Sequence, residues 1–277
     1  MLTKKVQVRD GMTRRTLAAS RVLITGASDG IGRALALELG RAGALLVLNA
    51  RREDKLRAVA DEVISAGGQA VCTAGDVTAK DTRLAALTAA EQQFGGLDIL
   101  VNNAGVSAWG AFDQAGEDRL RRIMEVNFFA LAEMTREALI LLRAGRRPLV
   151  VNIGSILGHR ALPLQAEYCA SKFAVRGLSE SLRGELARLG IDLLLVSPGT
   201  TDTEFFEHLL EKTTDMPWGK TRGVPSSYVA AQIVRAMRSG RREIIPSRRG
   251  QLLVWLNRLA PGFVDAWIAR YTRDRSK

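Results

Sequence analysis

The sequence is poor in cysteine and histidine, with two of each in 277 residues. Cys72 and Cys169 lie far apart and match no metal or redox spacing, so neither a disulfide framework nor a metal site is expected, and the thiols suit a reducing cytoplasm. No run of eighteen or more uninterrupted apolar residues occurs, which excludes a transmembrane helix of ordinary length. The opening stretch, MLTKKVQVRDGMTRRTLAAS, is basic but has neither a continuous apolar core nor a cleavage site, so no secretory signal is expected. No internal repeat, low-complexity tract or Pro-rich linker divides the chain. Acidic residues are the scarcer sign, 29 against 40 Lys and Arg, giving a formal net charge of +11.

That excess invites a nucleic-acid partner, but its distribution argues against one. Residues 1–20 hold five bases and one acid, residues 235–277 hold eleven bases and three acids, and residues 21–234 hold 24 bases and 25 acids. A nearly neutral body with two basic ends is a poor grip for a phosphate backbone, and no nucleic-acid motif is visible. The 47% apolar and 25% charged composition is that of an ordinary globular chain.

From Arg21 onward, short Val-, Ile- and Leu-rich runs (RVLIT, LLVLNA, QAVCTAGD, LDILVNN, PLVVNI, IDLLLVSP) alternate with helical patterns over 31–41, 52–66, 79–94, 120–142 and 166–189. Continuous apolar runs of this length suit strands covered on both faces, and the intervening helices are long enough for parallel crossovers. The order predicts an α/β fold: a doubly wound parallel sheet of Rossmann type, in one domain with helices on both faces. Its expected limits are 21–246, preceded by a basic N-terminal extension (1–20) and followed by a basic C-terminal one (247–277). Residues 200–224 are mixed in polarity and interrupted by Pro217 and Gly219. They predict a flexible insertion at the carboxyl ends of the strands, where ligands of such sheets bind. A helix over 225–238 and a short apolar piece at 243–246 follow.

The first strand runs into Thr25-Gly26-Ala27-Ser28-Asp29-Gly30-Ile31-Gly32 and then a helix. Glycines allow a tight turn and close backbone approach, and free N–H groups at a helix start favour an anionic pyrophosphate. Further along stand Asn102-Asn103-Ala104-Gly105, Asn127, Ser155, Tyr168-Cys169-Ala170-Ser171-Lys172 and Pro198-Gly199. Together these motifs, in order and spacing over about 21–245, resemble the short-chain dehydrogenase/reductase family, in the branch with a TGxxxGIG turn and a YxxxK pair.

The resemblance implies an oxidoreductase that moves hydride between a nicotinamide cofactor and a carbonyl or secondary alcohol. Tyr168 and Lys172, four apart, share a helix face, and an ammonium beside a phenol favours the phenolate. An unperturbed phenol titrates near pH ~10, so proton exchange near neutrality calls for a lowered value. Tyr168 is therefore the expected acid/base. By resemblance, Lys172 also bonds the nicotinamide ribose, Ser155 the substrate oxygen, and Asn127 holds a helix bend and a water leading from Lys172 to solvent. Asp76 and Val77 match the adenine-contacting pair, and Asn103, Ala104 and Gly105 the cofactor-lining turn. Thr203 stands where relatives bond the carboxamide, with Thr200 and Thr201 as alternatives. Taken singly, each of these residues is equally an ordinary turn, core or surface residue.

NAD-preferring relatives carry an acid at the end of the second strand to bond the ribose 2′-hydroxyl. Here Ala50 stands there and Arg51 follows, with a guanidinium suited to a 2′-phosphate, so NADP(H) is expected over NAD(H). Asp29 departs from the NADP pattern, either repelling that phosphate or pairing with Arg51. Trp109, Phe205, Phe206, Met216 and Trp218 are candidates for an apolar pocket wall and suggest a hydrophobic substrate. His159 lies between Ser155 and Tyr168 and is expected at the pocket rim or in solvent, without a catalytic task, and Cys169 is expected to be structural.

In the tail, Leu252, Trp255, Leu256 and Leu259 fall at helical spacing, and after Pro261-Gly262 so do Val264, Trp267, Ile268 and Tyr271. These two stripes are expected to cover the protein's own core or a partner subunit; the alternative is peripheral contact with an anionic membrane at the inner face. A dimer or tetramer through the 120–142 and 166–189 helices is implied by the family. A non-catalytic cofactor sensor or scaffold is the competing function, although it needs no intact Ser, Tyr and Lys set.

Overall fold

A computed structural model describes residues 15–203, 205, 209–214 and 223–273. The elements in chain order are β1 (Arg21–Thr25), α1 (Gly30–Arg41), β2 (Leu45–Ala50), α2 (Glu53–Ser65), β3 (Gln69–Ala74), α3 (Lys80–Phe94), β4 (Ile99–Asn102), α4 (Glu117–Met124), α5 (Ala130–Arg143), β5 (Leu149–Ile153) and α6 (Ala166–Arg188). Then come β6 (Asp192–Val196), β7 (Thr201–Asp202), β8 (Val224–Pro225), α7 (Ser226–Ser239), β9 (Glu243–Ile244), α8 (Arg248–Leu259) and α9 (Pro261–Arg273).

Seven strands form one parallel sheet in the order β3-β2-β1-β4-β5-β6-β9. Alternate strand residues feed opposite faces, as a two-residue period requires. On β1, Val22 and Ile24 join the core under α1 and α7, while Leu23 joins the core under α3 and α5. Every residue of β4 and β5 is buried, which explains their unbroken apolar runs. The sheet order reverses between β1 and β4, opening a crevice at their carboxyl ends. The glycine turn and Asn103 to Gly105 both sit there.

Buried amides tie the second helical layer to the sheet. Asn102 Nδ2 donates to Thr135 Oγ1 and to Asn152 Oδ1, each at 2.9 Å, and Asn152 Nδ2 donates to Ser179 Oγ at 3.0 Å. Asn102 thus faces the helices and not the crevice.

The structure departs from the sequence pattern in three places. The helix expected over 120–142 begins at Glu117 and is broken by a π-helical turn, Glu125–Phe129, with Asn127 in it. Of the expected N-terminal extension, the described residues 15–20 pack on the body: Leu17 is in the core, and buried Arg15 bonds Asp192 at 2.7 Å and the Met237 carbonyl at 2.9 Å. In the tail, Leu252, Trp255 and Leu259 face outward, while Val254, Val264 and Ile268 face inward. Of the first stripe, Leu256 is half-buried and the other three residues are exposed; of the second, the Tyr271 side chain lies outside the described residues. Among the described residues, no helix is long and apolar enough to cross a membrane.

Candidate active site

The turn after β1 is built around two left-handed glycines, Gly26 (φ 66°) and Gly30 (φ 55°). Asp29 caps α1 by accepting from the Gly30 N–H at 2.5 Å, leaving the helix N-terminus directed at the crevice. Asn103 holds the turn from the next strand, donating from Nδ2 to the Thr25 and Gly26 carbonyls at 3.0 and 2.9 Å. Thr25 Oγ1 in return accepts from the Asn103 and Ala104 N–H groups at 3.0 and 3.1 Å. Gly32 packs against this clasp so tightly that a Cβ on it would lie 2.2 Å from the Gly26 carbonyl oxygen.

A cleft of about 1100 Å³ runs from this turn past Arg51, Asp76, Val77 and Gly105 to Ser155, Tyr168 and Lys172, and on to Pro198, Gly199, Thr201 and Thr203. Ser28, Ile31, Asn103 and Ala104 also line it. The residues singled out from the sequence as a cofactor and reaction site thus share one crevice, apart from Gly32 beneath the turn and Asn127 beside Gly105. Among the described residues, no group of three or more His, Cys, Asp or Glu is placed to hold a metal ion.

Ser155 caps the short turn Ile156–Gly158 by accepting from the Leu157 N–H at 3.1 Å. Tyr168 and Lys172 lie on one face of α6, with Lys172 Nζ 5.6 Å from the Tyr168 ring centre. Lys172 Nζ donates to the Ile153 carbonyl at 3.0 Å. Asn127 Oδ1 accepts from the Val106 N–H at 2.8 Å, and its Nδ2 donates to the Val106 carbonyl and to Ser171 Oγ, both at 2.9 Å. The π-turn aims the Asn127 amide across to α6, a use to which such turns are often put.

Electrostatics here run opposite to the sequence expectation. Burial pushes the Tyr168 phenol above its ordinary value, and contact with Ser155 only partly opposes it. Burial also lowers Lys172, to about 8. Removing two groups from water penalises both charged forms, and burial is the largest influence on each. At neutral pH burial therefore keeps the Tyr168 phenol protonated. If Tyr168 is the acid and the Lys172 charge its support, as the sequence leads one to expect, kcat/KM for carbonyl reduction should fall above pH about 8, where Lys172 loses that charge. A pH profile of kcat/KM from 6 to 10 (roughly the range in which such groups titrate) checks this, and a flat profile would contradict it.

At the other end, Arg51 is exposed and lines the cleft. Asp29 meets Arg52 at 3.6 Å, settling the alternative of an Arg51 partner in favour of its neighbour. Asp76 accepts from the Thr78 N–H and hydroxyl at 2.9 Å. Thr201 Oγ1 donates to the Gly199 carbonyl at 3.1 Å, and Thr203 packs over Gly30 at the glycine turn.

The apolar wall includes Trp109, whose backbone N–H donates to the Glu211 carbonyl at 2.8 Å, and Phe205, whose ring centre is 6.1 Å from that of Tyr168. Phe206, Met216 and Trp218 lie outside the described residues. A cluster not singled out in the sequence backs this wall. Buried Arg119 on α4 bonds Glu167 at 2.7 Å, immediately before Tyr168, and reaches Glu211 at 3.5 Å and the Ala111 carbonyl at 3.2 Å. It fastens the wall segment to the start of α6, and removing either side would leave a buried charge uncompensated. Only the acid preceding Tyr168 in the sequence hints at it.

His159 is neither at the rim nor in solvent. It is buried behind the cleft, with Nε2 3.0 Å from Ser197 Oγ and 3.1 Å from Glu243, whose carboxyl it holds below the usual range. Burial of its ring under β6 and β9 accounts for the difference. Cys169 packs with Leu157 and Tyr168, and burial raises its thiol.

A profile of the short chain dehydrogenase family matches residues 20–214. The chain is 32% identical over 267 residues to dehydrogenase/reductase SDR family member 7B of Bos taurus, covering 92% of this chain and 82% of that one. A short chain dehydrogenase/reductase from Burkholderia phymatum, solved in complex with NAD, superposes with a TM-score of 0.81 at 24% identity, covering 90% and 96% of the two chains. An alcohol dehydrogenase from the archaeon Thermococcus sibiricus, complexed with 5-hydroxy-NADP, superposes with a TM-score of 0.73 at 24% identity, covering 82% and 95%.

Proposed function

This chain belongs to the short-chain dehydrogenase/reductase family of oxidoreductases, and from that premise we propose that it reduces or forms the carbonyl of a hydrophobic substrate with NADP(H) and Tyr168 as acid/base. The observation that carries this is the convergence of Ser155, Tyr168 and Lys172 on the cleft that begins at the glycine turn.

The chain's residues fit a dinucleotide. The space a Cβ would fill at Gly26 and Gly32 is taken by backbone and by Asn103, which keeps the turn close and its N–H groups open to a pyrophosphate. Asp76 and Val77 would flank the adenine, Lys172 the nicotinamide ribose, and the 198–203 segment the nicotinamide. Bound there, the cofactor supplies or accepts hydride. Ser155 orients the substrate oxygen, Tyr168 gives or takes its proton, and Lys172 stabilises the charge left on Tyr168. Trp109 and Phe205 favour an apolar carbonyl compound.

Arg51 supports NADP(H), because it alone of the cleft residues near the end of β2 is a freely exposed base without an acid in contact among the described residues. Arg52 is engaged by Asp29. The solved neighbours hold NAD in one case and an NADP derivative in the other, so the assignment rests on this residue. Arg51→Ala is expected to raise the KM for NADPH by about tenfold or more, the usual weight of a charge-assisted phosphate contact, with the KM for NADH unchanged. Initial rates of NADPH and NADH consumption with aliphatic and aromatic ketones and aldehydes test this. A wild-type preference for NADH would contradict it.

The two free thiols support a cytoplasmic location. Exposed Leu120, Phe129, Ile140 and Phe173 on the α4–α5 and α6 surfaces support a homodimer or homotetramer through those helices.

A further inference from the structure

We propose that α8 and α9 form a surface that docks this protein on anionic lipid membranes. Among the described residues, one side of the pair is seated on the body. Val254, Val264 and Ile268 are buried, Asn257 Nδ2 donates to the His159 carbonyl at 3.3 Å, and Arg160 pairs with Asp265 at 2.5 Å. The opposite side presents Leu252, Trp255, Leu259, Phe263 and Trp267, each between 54% and 66% exposed. Leu252, Trp255 and Leu259 lie at i, i+3 and i+7, and Phe263 and Trp267 at i and i+4, so each set shares a helix face.

Basic residues rim these faces. Arg248 lies one turn before Leu252, Arg258 one turn after Trp255, and Arg270 one turn after Trp267. These three and Arg249 are exposed and have no ion-pair partner among the described residues. The acid on the described part of the pair, Asp265, is engaged by Arg160. Aromatic and aliphatic side chains ringed by guanidinium groups suit a helix pair lying at the boundary of headgroups and acyl chains. The sign of the charge selects the occupant. A two-fold contact between copies would set this patch against itself and bring its arginines together, the one acid among the pair's described residues, Asp265, being already paired with Arg160. Anionic headgroups complement the same arginines.

The test uses the full chain without cofactor or substrate, so its result is independent of turnover. Co-sedimentation with vesicles of phosphatidylcholine, alone or mixed with phosphatidylserine, is expected to give binding to the mixed vesicles only, weakened by added salt. Arg248→Ala and Arg258→Ala should each weaken it about fivefold, the weight of one base near an anionic surface. The double variant Trp255→Ser/Phe263→Ser should weaken it by about tenfold or more through lost apolar insertion. All four side chains are exposed, so cofactor binding and the thermal midpoint should stay unchanged, which separates docking from folding. Equal binding to neutral vesicles, or none at low salt, would overturn the proposal. So would tighter retention on an oligonucleotide than on mixed vesicles, or a loss of oligomer mass by light scattering in Leu252→Asp/Trp255→Asp, which would assign the patch to a second copy.

Discussion

Tyr168→Phe is expected to lower turnover by about three orders of magnitude, within the range for loss of a general acid, while the chain folds and binds dinucleotide as before. The ring sits against Leu157, Cys169 and Phe205, and these contacts survive the substitution. What disappears is the phenolic oxygen, the group that burial holds protonated. The Ser155 hydroxyl remains anchored by the Leu157 N–H and keeps its place in the cleft. Steady-state rates, cofactor titration by fluorescence and thermal unfolding separate the three effects. The predicted pattern is a collapse of kcat with the cofactor dissociation constant and Tm nearly unchanged. A loss of fold in this variant would make Tyr168 a core residue first.

Gly32→Ala is expected to abolish cofactor binding and to destabilise the fold by about 1–3 kcal/mol, the cost of forcing an extra methyl into a packed site. The new Cβ would lie 2.2 Å from the Gly26 carbonyl oxygen and 2.5 Å from Asn103 Nδ2. Neither neighbour has room to retreat: the first is backbone of the turn, and the second is the side chain that clasps it. The turn must therefore open at the point where the pyrophosphate would rest. Gly177→Ala on α6 is the matched control, because nothing lies within 4 Å of its added Cβ. That substitution should stabilise the helix by about 0.5–1 kcal/mol through the alanine preference alone. Calorimetry of NADPH binding and urea unfolding of both variants measure the contrast.

The sheet was legible in the sequence because strands covered on both faces leave unbroken apolar runs, as in LDILVNN and PLVVNI. The glycine turn and the Tyr168-Lys172 pair were legible for another reason, since their chemistry fixes both residue type and spacing. What escaped sequence reasoning depends on contacts across the fold. The π-turn at Asn127 changes the backbone register without altering hydropathy, so periodicity read it as continuous helix and only the family resemblance pointed to a bend there. Arg119 and Glu167 are 48 residues apart, and nothing in either neighbourhood announces the pair. The rise of the Tyr168 phenol depends on how deeply α6 sinks its first turn, whereas spacing alone spoke only of the nearby ammonium. In the tail, periodicity found the stripes but not which side faces inward, because Val254 is as apolar as the Leu252 that ends up in solvent.

The assignment of hydride chemistry to this cleft is tested most directly by isotope transfer. NADPH deuterated at the reactive nicotinamide carbon is incubated with a hydrophobic ketone and either the wild-type protein or Tyr168→Phe, and the alcohol is analysed by mass spectrometry. Deuterium on the carbinol carbon with the wild type, and almost none with Tyr168→Phe under the same conditions, is the predicted result. Equal deuterium transfer by both proteins would contradict the role given to Tyr168, and no transfer by either to any carbonyl compound tried would contradict the reaction itself.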